Sequence, residues 1–169
     1  PSRFMLVCAM NPCKCGWYGH PSGRCTCSEN QVEQYMRRIS GPLLDRIDMY
    51  IEVPSVEYEA MRRKDTPESS AVIRQRVNAA REVQKQRFDG TEVSCNAYMA
   101  PAMIGRYCQL DDAGERLMQG AFDRLGRTGR SHDRIPRRAR TNADLEGEEQ
   151  ILPTHLAEAI QYRSSAMLK

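Results

Sequence analysis

The chain has 169 residues, 40% of them hydrophobic, with 25 basic and 22 acidic side chains and a formal net charge of +3. That composition supports one or two packed domains and argues against wholesale disorder. The charge is too balanced to identify a nucleic-acid binder by itself, and no apolar run is long enough to cross a membrane.

Residues Phe4 to Met10 form a near-continuous apolar run that reads as a buried strand, closed by Asn11-Pro12. The run is too short for a signal peptide, and the missing Met at position 1 suggests a piece of a longer protein. Residues 13–27 are rich in Gly, Cys and Pro and read as a loop. Ser28-Glu29-Asn30-Gln31 fits a capping box opening a helix to about Ile39, which Ser40-Gly41-Pro42 breaks. Leu43 to Asp48 reads as a short helical turn and Met49 to Val53 as a second strand, stopped by Pro54. Beyond about residue 66 the apolar period is helical: Ile73, Val77, Ala80 and Val83; then Leu117, Met118, Ala121, Phe122 and Leu125; then Leu156, Ala159 and Ile160. The expected architecture is an α/β remnant followed by an all-helical domain, mainly α in total. Two strands and one or two helices bury too little surface to stand alone, so the rest of that sheet is expected upstream.

Four groups of residues carry candidate chemistry. The seven cysteines are Cys8, Cys13, Cys15, Cys25, Cys27, Cys95 and Cys108. Four of them make a C-x-C, nine-residue spacer, C-x-C pattern at Cys13, Cys15, Cys25 and Cys27. In a reducing compartment this reads as a metal loop before it reads as disulfides, with Zn²⁺ the usual ion and His20 a reserve ligand. Asn11 follows an apolar strand, where α/β sheets bind ligands, although a turn former before Pro12 explains it equally simply. Arg46 lies between Asp45 and Asp48 in an apolar turn, either as a salt-bridge partner of those acids or as a group aimed at a neighbour's phosphate. Arg127, Arg130, Arg134, Arg137, Arg138 and Arg140 crowd one predicted helix, as a solvated basic face or as an anion site. No phosphate-cradling G-x-x-x-x-G-K-[ST] loop is present, and no apolar strand ends in Asp-Glu to hold Mg²⁺, so this stretch is expected not to hydrolyse ATP alone.

Ala9-Met10-Asn11-Pro12-Cys13-x-Cys15-Gly16, followed by Ile39-Ser40-Gly41-Pro42-Leu43-Leu44-Asp45-Arg46-Ile47-Asp48, resembles the second half of the AAA+ core in Mg-chelatase-like proteins of the ComM/YifB family. Glu68-Ser69-Ser70-Ala71, Ala139-Arg140-Thr141, Ala143-Asp144-Leu145 and His155 to Arg163 resemble the C-terminal helical domain of that family. The resemblance implies residues 1–60 as the end of the AAA+ core with the Cys-rich loop 13–27, a linker at 61–67, and a helical lid at 68–169. It implies Asn11 as the sensor-1 residue that orients the attacking water, Arg46 as the arginine finger acting on a neighbour's ATP, and Arg130 as the nucleotide-binding sensor-2 residue, with Arg134 the alternative.

It also implies ATP and Mg²⁺ as cofactors of the full-length protein, a cytoplasmic location, and self-association into a hexameric ring. The expected activity is that of a DNA helicase or translocase promoting branch migration in natural transformation. Lys14, Trp17, Tyr18, His20 and Arg24 on the cysteine loop would suit base stacking and phosphate contact. Other readings are the ATPase subunit of a magnesium chelatase, which lacks such a cysteine loop in the family pattern, and a zinc-dependent nucleic-acid-binding module. Pro136 stands where the family has an aliphatic residue and Asn142 where it has Ile, so the lid helix is expected to start later than in relatives.

Overall fold

The structure is a computed structural model that describes residues 4–56, 62, 67–124 and 129–163, with residues 124 and 129–131 described by backbone alone. The described residues contain seven α-helices and no β-strand. In chain order they are α1 (Glu29–Met36), α2 (Gly41–Arg46), α3 (Ser70–Arg87), α4 (Pro101–Tyr107), α5 (Asp112–Arg124), α6 (Gly129–Glu146) and α7 (Pro153–Gln161), with a 3₁₀ turn at Asn96–Tyr98. The mainly α architecture is as expected. The linker assigned to 61–67 falls almost wholly outside the described residues.

The capping box forms as read. The Ser28 hydroxyl accepts from the Gln31 N–H, and the Gln31 side chain accepts from the Ser28 N–H at 3.0 Å. Helix α1 ends at Met36, and looser turns carry the chain to Ile39. Neither expected strand forms. Residues 4–10 and 49–53 have no ladder partner among the described residues, and Met5, Val7 and Val53 stay exposed. A strand is completed only by a neighbour, so apolar composition alone leaves these segments as open coil.

The core lies in the C-terminal helices. Met118 and Ala121 of α5, Ile135, Ala139 and Ala143 of α6, and Leu156, Ala159 and Ile160 of α7 are buried together with Phe88, Met99, Ile104 and Cys108. Alanines at 139, 143 and 159 let α6 and α7 approach closely, and Leu156 fills the gap between them. Helix α7 opens on Pro153 at its first turn, where a missing N–H costs nothing. The Leu152 N–H donates to His155 Nδ1 at 3.0 Å, so Nε2 carries the hydrogen shared with Glu146 at 2.9 Å. The stripe expected on α7 therefore faces the core as read; of that on α5, Met118 and Ala121 are buried, Phe122 is half-buried, Leu117 is exposed, and Leu125 lies outside the described residues. On α3 only Ala80 of the expected stripe is buried; Ile73, Val77 and Val83 are exposed, because only the C-terminal half of that helix meets the bundle.

Helix α6 begins at Gly129 and runs through Pro136. The proline removes the hydrogen bond to the carbonyl one turn back, a cost of about 3 kcal/mol that the packing of Ile135 and Ala139 must offset. Asn142 is not stranded in the core either. Its amide donates to the His155 carbonyl at 3.2 Å and to Glu158 at 3.0 Å, tying α6 to α7.

Candidate functional site

The cysteine loop closes on itself. Gly16 has φ 82°, and its N–H donates to the Cys13 carbonyl at 3.1 Å, which turns the chain so that Cys13 and Cys15 face the same point. Cys25 and Cys27 return to that point, and the four Sγ atoms lie within 4.8 Å of one another. The Cys13–Cys15, Cys15–Cys25 and Cys13–Cys25 sulfur separations are 3.3, 3.6 and 3.9 Å. Tetrahedral bonds of about 2.3 Å place sulfurs roughly 3.8 Å apart, so the set fits Zn²⁺.

The electrostatics suit a cation as well. The Trp17 N–H, then the Thr26 N–H, hold the Cys15 thiol down at about 6. At Cys25 the Cys27 N–H favours the thiolate, but burial and the adjacent Cys15 and Cys13 sulfurs outweigh it and push the thiol up to about 11. Cys13 is likewise held below the ordinary thiol range and Cys27 above it, so a positive ion among the four would favour the full set of thiolates. His20 is not required as a ligand, since the four sulfurs complete a tetrahedral set without it, and its Nδ1 accepts from the Ser22 N–H at 3.0 Å.

Outside the sulfur cluster, Lys14, Trp17, Tyr18 and Arg24 are exposed. The Arg24 guanidinium lies 5.2 Å from the Trp17 ring centre, and His20 meets the same indole edge-on at 4.9 Å. Asn11 is exposed at the start of this loop, and a Cβ placed on Gly16 would sit 3.8 Å from its amide.

Helix α2 presents Arg46 at its last turn. Ser40 caps the helix, its hydroxyl accepting from the Leu43 N–H at 3.3 Å, and Pro42 occupies the first turn. Arg46 is exposed and donates to the Pro42 carbonyl at 2.8 Å. The two acids beside it are engaged elsewhere: Asp45 pairs with Arg163 at 3.3 Å, and Asp48 with Arg134 at 3.1 Å. The salt-bridge reading of Arg46 with its own neighbours is thus not what the geometry holds.

The arginines of α6 separate into different tasks. Arg134 Nη1 lies 3.0 Å from both the Asp45 and Arg46 carbonyls. Arg140 is 3% exposed and joins a buried network. Its Nε donates to Asp144 at 3.0 Å, and its Nη1 donates to the Glu149 carbonyl at 2.5 Å. Arg87 donates to the other Asp144 oxygen at 2.7 Å, and the Asn96 amide reaches that same oxygen at 2.7 Å. Ala139-Arg140-Thr141 and Asp144 therefore hold α3, the 3₁₀ turn and α6 together, and take no part in an anion site. Arg130 lies in the first turn of α6, and its side chain, like all of Arg127, is outside the described residues. No hydrogen bond or ion pair joins Asn11 to Arg46 or Arg134 among the described residues. The network of Arg87, Asn96 and Asp144 and the contacts of Arg163 escaped the sequence reading, because their partners lie 48 to 118 positions apart.

Arg138 is the exception within the run. All three of its guanidinium nitrogens are buried without a hydrogen-bond partner among the described residues. Burial first, and then Arg163 and Arg134, pull it down to about 10 against the opposing pull of Asp48. Replacing such a group with an apolar one of similar length removes a desolvation cost. Arg138→Met is expected to stabilise the fold by about 1–3 kcal/mol. Thermal unfolding followed by circular dichroism should show a rise in Tm; a fall would mean that Arg138 has a counter-charge.

The family described as "Magnesium chelatase, subunit ChlI C-terminal" matches residues 67–163, and that described as "Magnesium chelatase, subunit ChlI" matches residues 1–61. The chain belongs to the magnesium chelatase-like AAA+ family. Within that family it is 40% identical over 169 residues to Competence protein ComM of Haemophilus influenzae, covering 99% of this chain and 32% of the relative. It is 38% identical over 165 residues to the uncharacterized protein YifB of Escherichia coli, covering 97% of this chain and 31% of the relative. An uncharacterized protein of Mycobacterium tuberculosis, Rv2897c, is 33% identical over 165 residues, covering 98% and 32%. The chain thus spans about a third of the length of the curated relatives it matches. No helix among the described residues is long and apolar enough to cross a membrane.

Proposed function

We propose that this chain supplies the response half of a AAA+ motor on DNA, in a cytoplasmic ring of six subunits that drives branch migration. The observation that carries this reading is Arg46: exposed at the end of α2, bonded only to a backbone carbonyl among the described residues, and flanked by acids that other arginines occupy. A guanidinium so placed is available to the ATP of an adjacent subunit, where its planar fork stabilises charge on the transferred phosphoryl group. Asn11 is assigned to orienting the attacking water, and Arg130 to the γ-phosphate from the lid of its own subunit. Arg134 is the weaker candidate for that role, because its Nη1 is committed to α2 and Asp48. The domain limits proposed are 1–60, 61–67 and 68–169.

The sequence carries no phosphate-cradling loop and no Asp-Glu strand end for Mg²⁺, so ATP and Mg²⁺ are proposed as cofactors of the full-length protein. Zn²⁺ is a different matter. Cys13, Cys15, Cys25 and Cys27 would hold it, and its charge would keep four thiolates together and the loop closed. Lys14, Tyr18 and the Arg24-covered Trp17 then form the surface proposed to meet DNA, by stacking and phosphate contact.

The cysteine loop also favours a second reading, a zinc-dependent nucleic-acid-binding module without ATPase function. It argues against a chelatase ATPase subunit. Branched DNA separates the two. Full-length protein is expected to displace a strand from a labelled branched duplex only with hydrolysable ATP. Zinc-dependent binding of that DNA with no ATP-stimulated displacement would favour the module.

A further inference from the structure

Helix α2 has only six residues and none of them is buried. A helix this short does not hold its shape on propensity, and its apolar side chains are at most half-buried. Its C-terminal carbonyls are nevertheless all occupied. The Leu44 carbonyl accepts from the Ile47 N–H at 3.0 Å and from the Tyr50 hydroxyl. The Asp45 and Arg46 carbonyls accept from Arg134. The Ile47 carbonyl accepts from Arg163 at 2.7 Å, and Arg163 also approaches the Asp45 carbonyl at 3.4 Å and its carboxylate at 3.3 Å. Beside these contacts the Tyr50 N–H donates to the Tyr162 carbonyl at 2.9 Å. Two cations thus meet the negative end of the helix and supply the hydrogen bonds its last turn cannot make internally. Both come from the helical domain, Arg134 from α6 and Arg163 from the turn after α7. Arg163 is itself 5% exposed, so its guanidinium is held in place by its surroundings.

We propose that Arg163, assisted by Arg134, is a positioning residue that aims Arg46. The inference rests on the reading of Arg46 as a trans-acting finger. The helical domain clamps the polar end of α2, so the direction of Arg46 is set by the place of α6 and the end of α7. A shift of that domain against the segment 41–50 would swing the finger, and through it one subunit's lid would govern hydrolysis in the next. Losing a charged hydrogen bond of this kind lowers the population of the aligned conformer by about tenfold or more.

The test uses the full-length protein and compares Arg163→Met, Arg163→Lys and Arg46→Ala. Arg163→Met is expected to lower kcat for ATP about tenfold or more while KM for ATP stays near the parent value, with part of the loss recovered in Arg163→Lys. Hydrogen exchange adds a readout that does not depend on activity. Arg163→Met should speed exchange of the amides in 41–50 and leave those of 139–144 protected, whereas Arg46→Ala should leave both unchanged. If Arg46→Ala abolishes turnover and Arg163→Met does not, the clamp is overturned and the finger stands. If Arg46→Ala leaves turnover intact, the finger reading falls and the clamp falls with it. Faster exchange at 139–144 with kcat and KM both altered would make Arg163 a structural residue and overturn the proposal.

Discussion

Replacing Arg46 with Ala is expected to lower ATP turnover of the full-length protein by about 10³- to 10⁵-fold, with nucleotide affinity and Tm near those of the parent. The size follows from the chemistry. A phosphoryl group in transfer spreads negative charge over its equatorial oxygens, and a cation added at that moment stabilises the transition state far more than the bound ground state. The small effect on stability follows from the geometry. Arg46 is exposed and gives up one hydrogen bond, to the Pro42 carbonyl, while Asp45 and Asp48 keep their own arginines. A structural arginine would behave in the opposite way, with Tm and turnover falling together. Mixing supplies a second criterion. Arg46→Ala subunits combined with subunits lacking the phosphate-loop lysine should regain part of the activity, because some interfaces then join an intact finger to an intact ATP site. Loss of stability with no recovery on mixing would remove the assignment.

Zinc removal is expected to have the largest structural effect. One Zn²⁺ per chain should copurify, and Cys13→Ser should abolish that stoichiometry. Binding energies for structural zinc are on the order of 10–16 kcal/mol and appear as folding energy of the segment that holds the ion. Residues 13–27 have little else to fold around: of the loop, Cys13 alone is buried. The helical core has its own apolar packing, so chelation should open the loop and leave the cooperative melting of the helices nearly unchanged. The only tryptophan of the chain, Trp17, sits in the loop beneath Arg24, which makes its fluorescence a direct report on loop order. Metal analysis near zero, with no fluorescence response to chelator or to Cys13→Ser, would dismiss the metal site.

Much of this molecule is determined by short-range pattern. The Ser28 capping box, the core faces of α5 and α7 and the convergence of the C-x-C pairs each depend on residues a few positions apart or within one loop. Local spacing reaches those features because the backbone itself carries the constraint. Only the tertiary structure decided the fate of the charged residues. Six arginines between 127 and 140 look alike in sequence, yet Arg140 is buried against Asp144, Arg134 clamps α2, and Arg138 has no hydrogen-bond partner among the described residues. Asp45 and Asp48 flank Arg46 but answer to Arg163 and Arg134, from 118 and 86 positions away. The same non-locality left residues 4–10 and 49–53 without a ladder among the described residues and most of the α3 stripe in solvent. A charge chooses its partner, and an apolar face its cover, by proximity in the folded chain, and helix packing sets that proximity where sequence spacing does not.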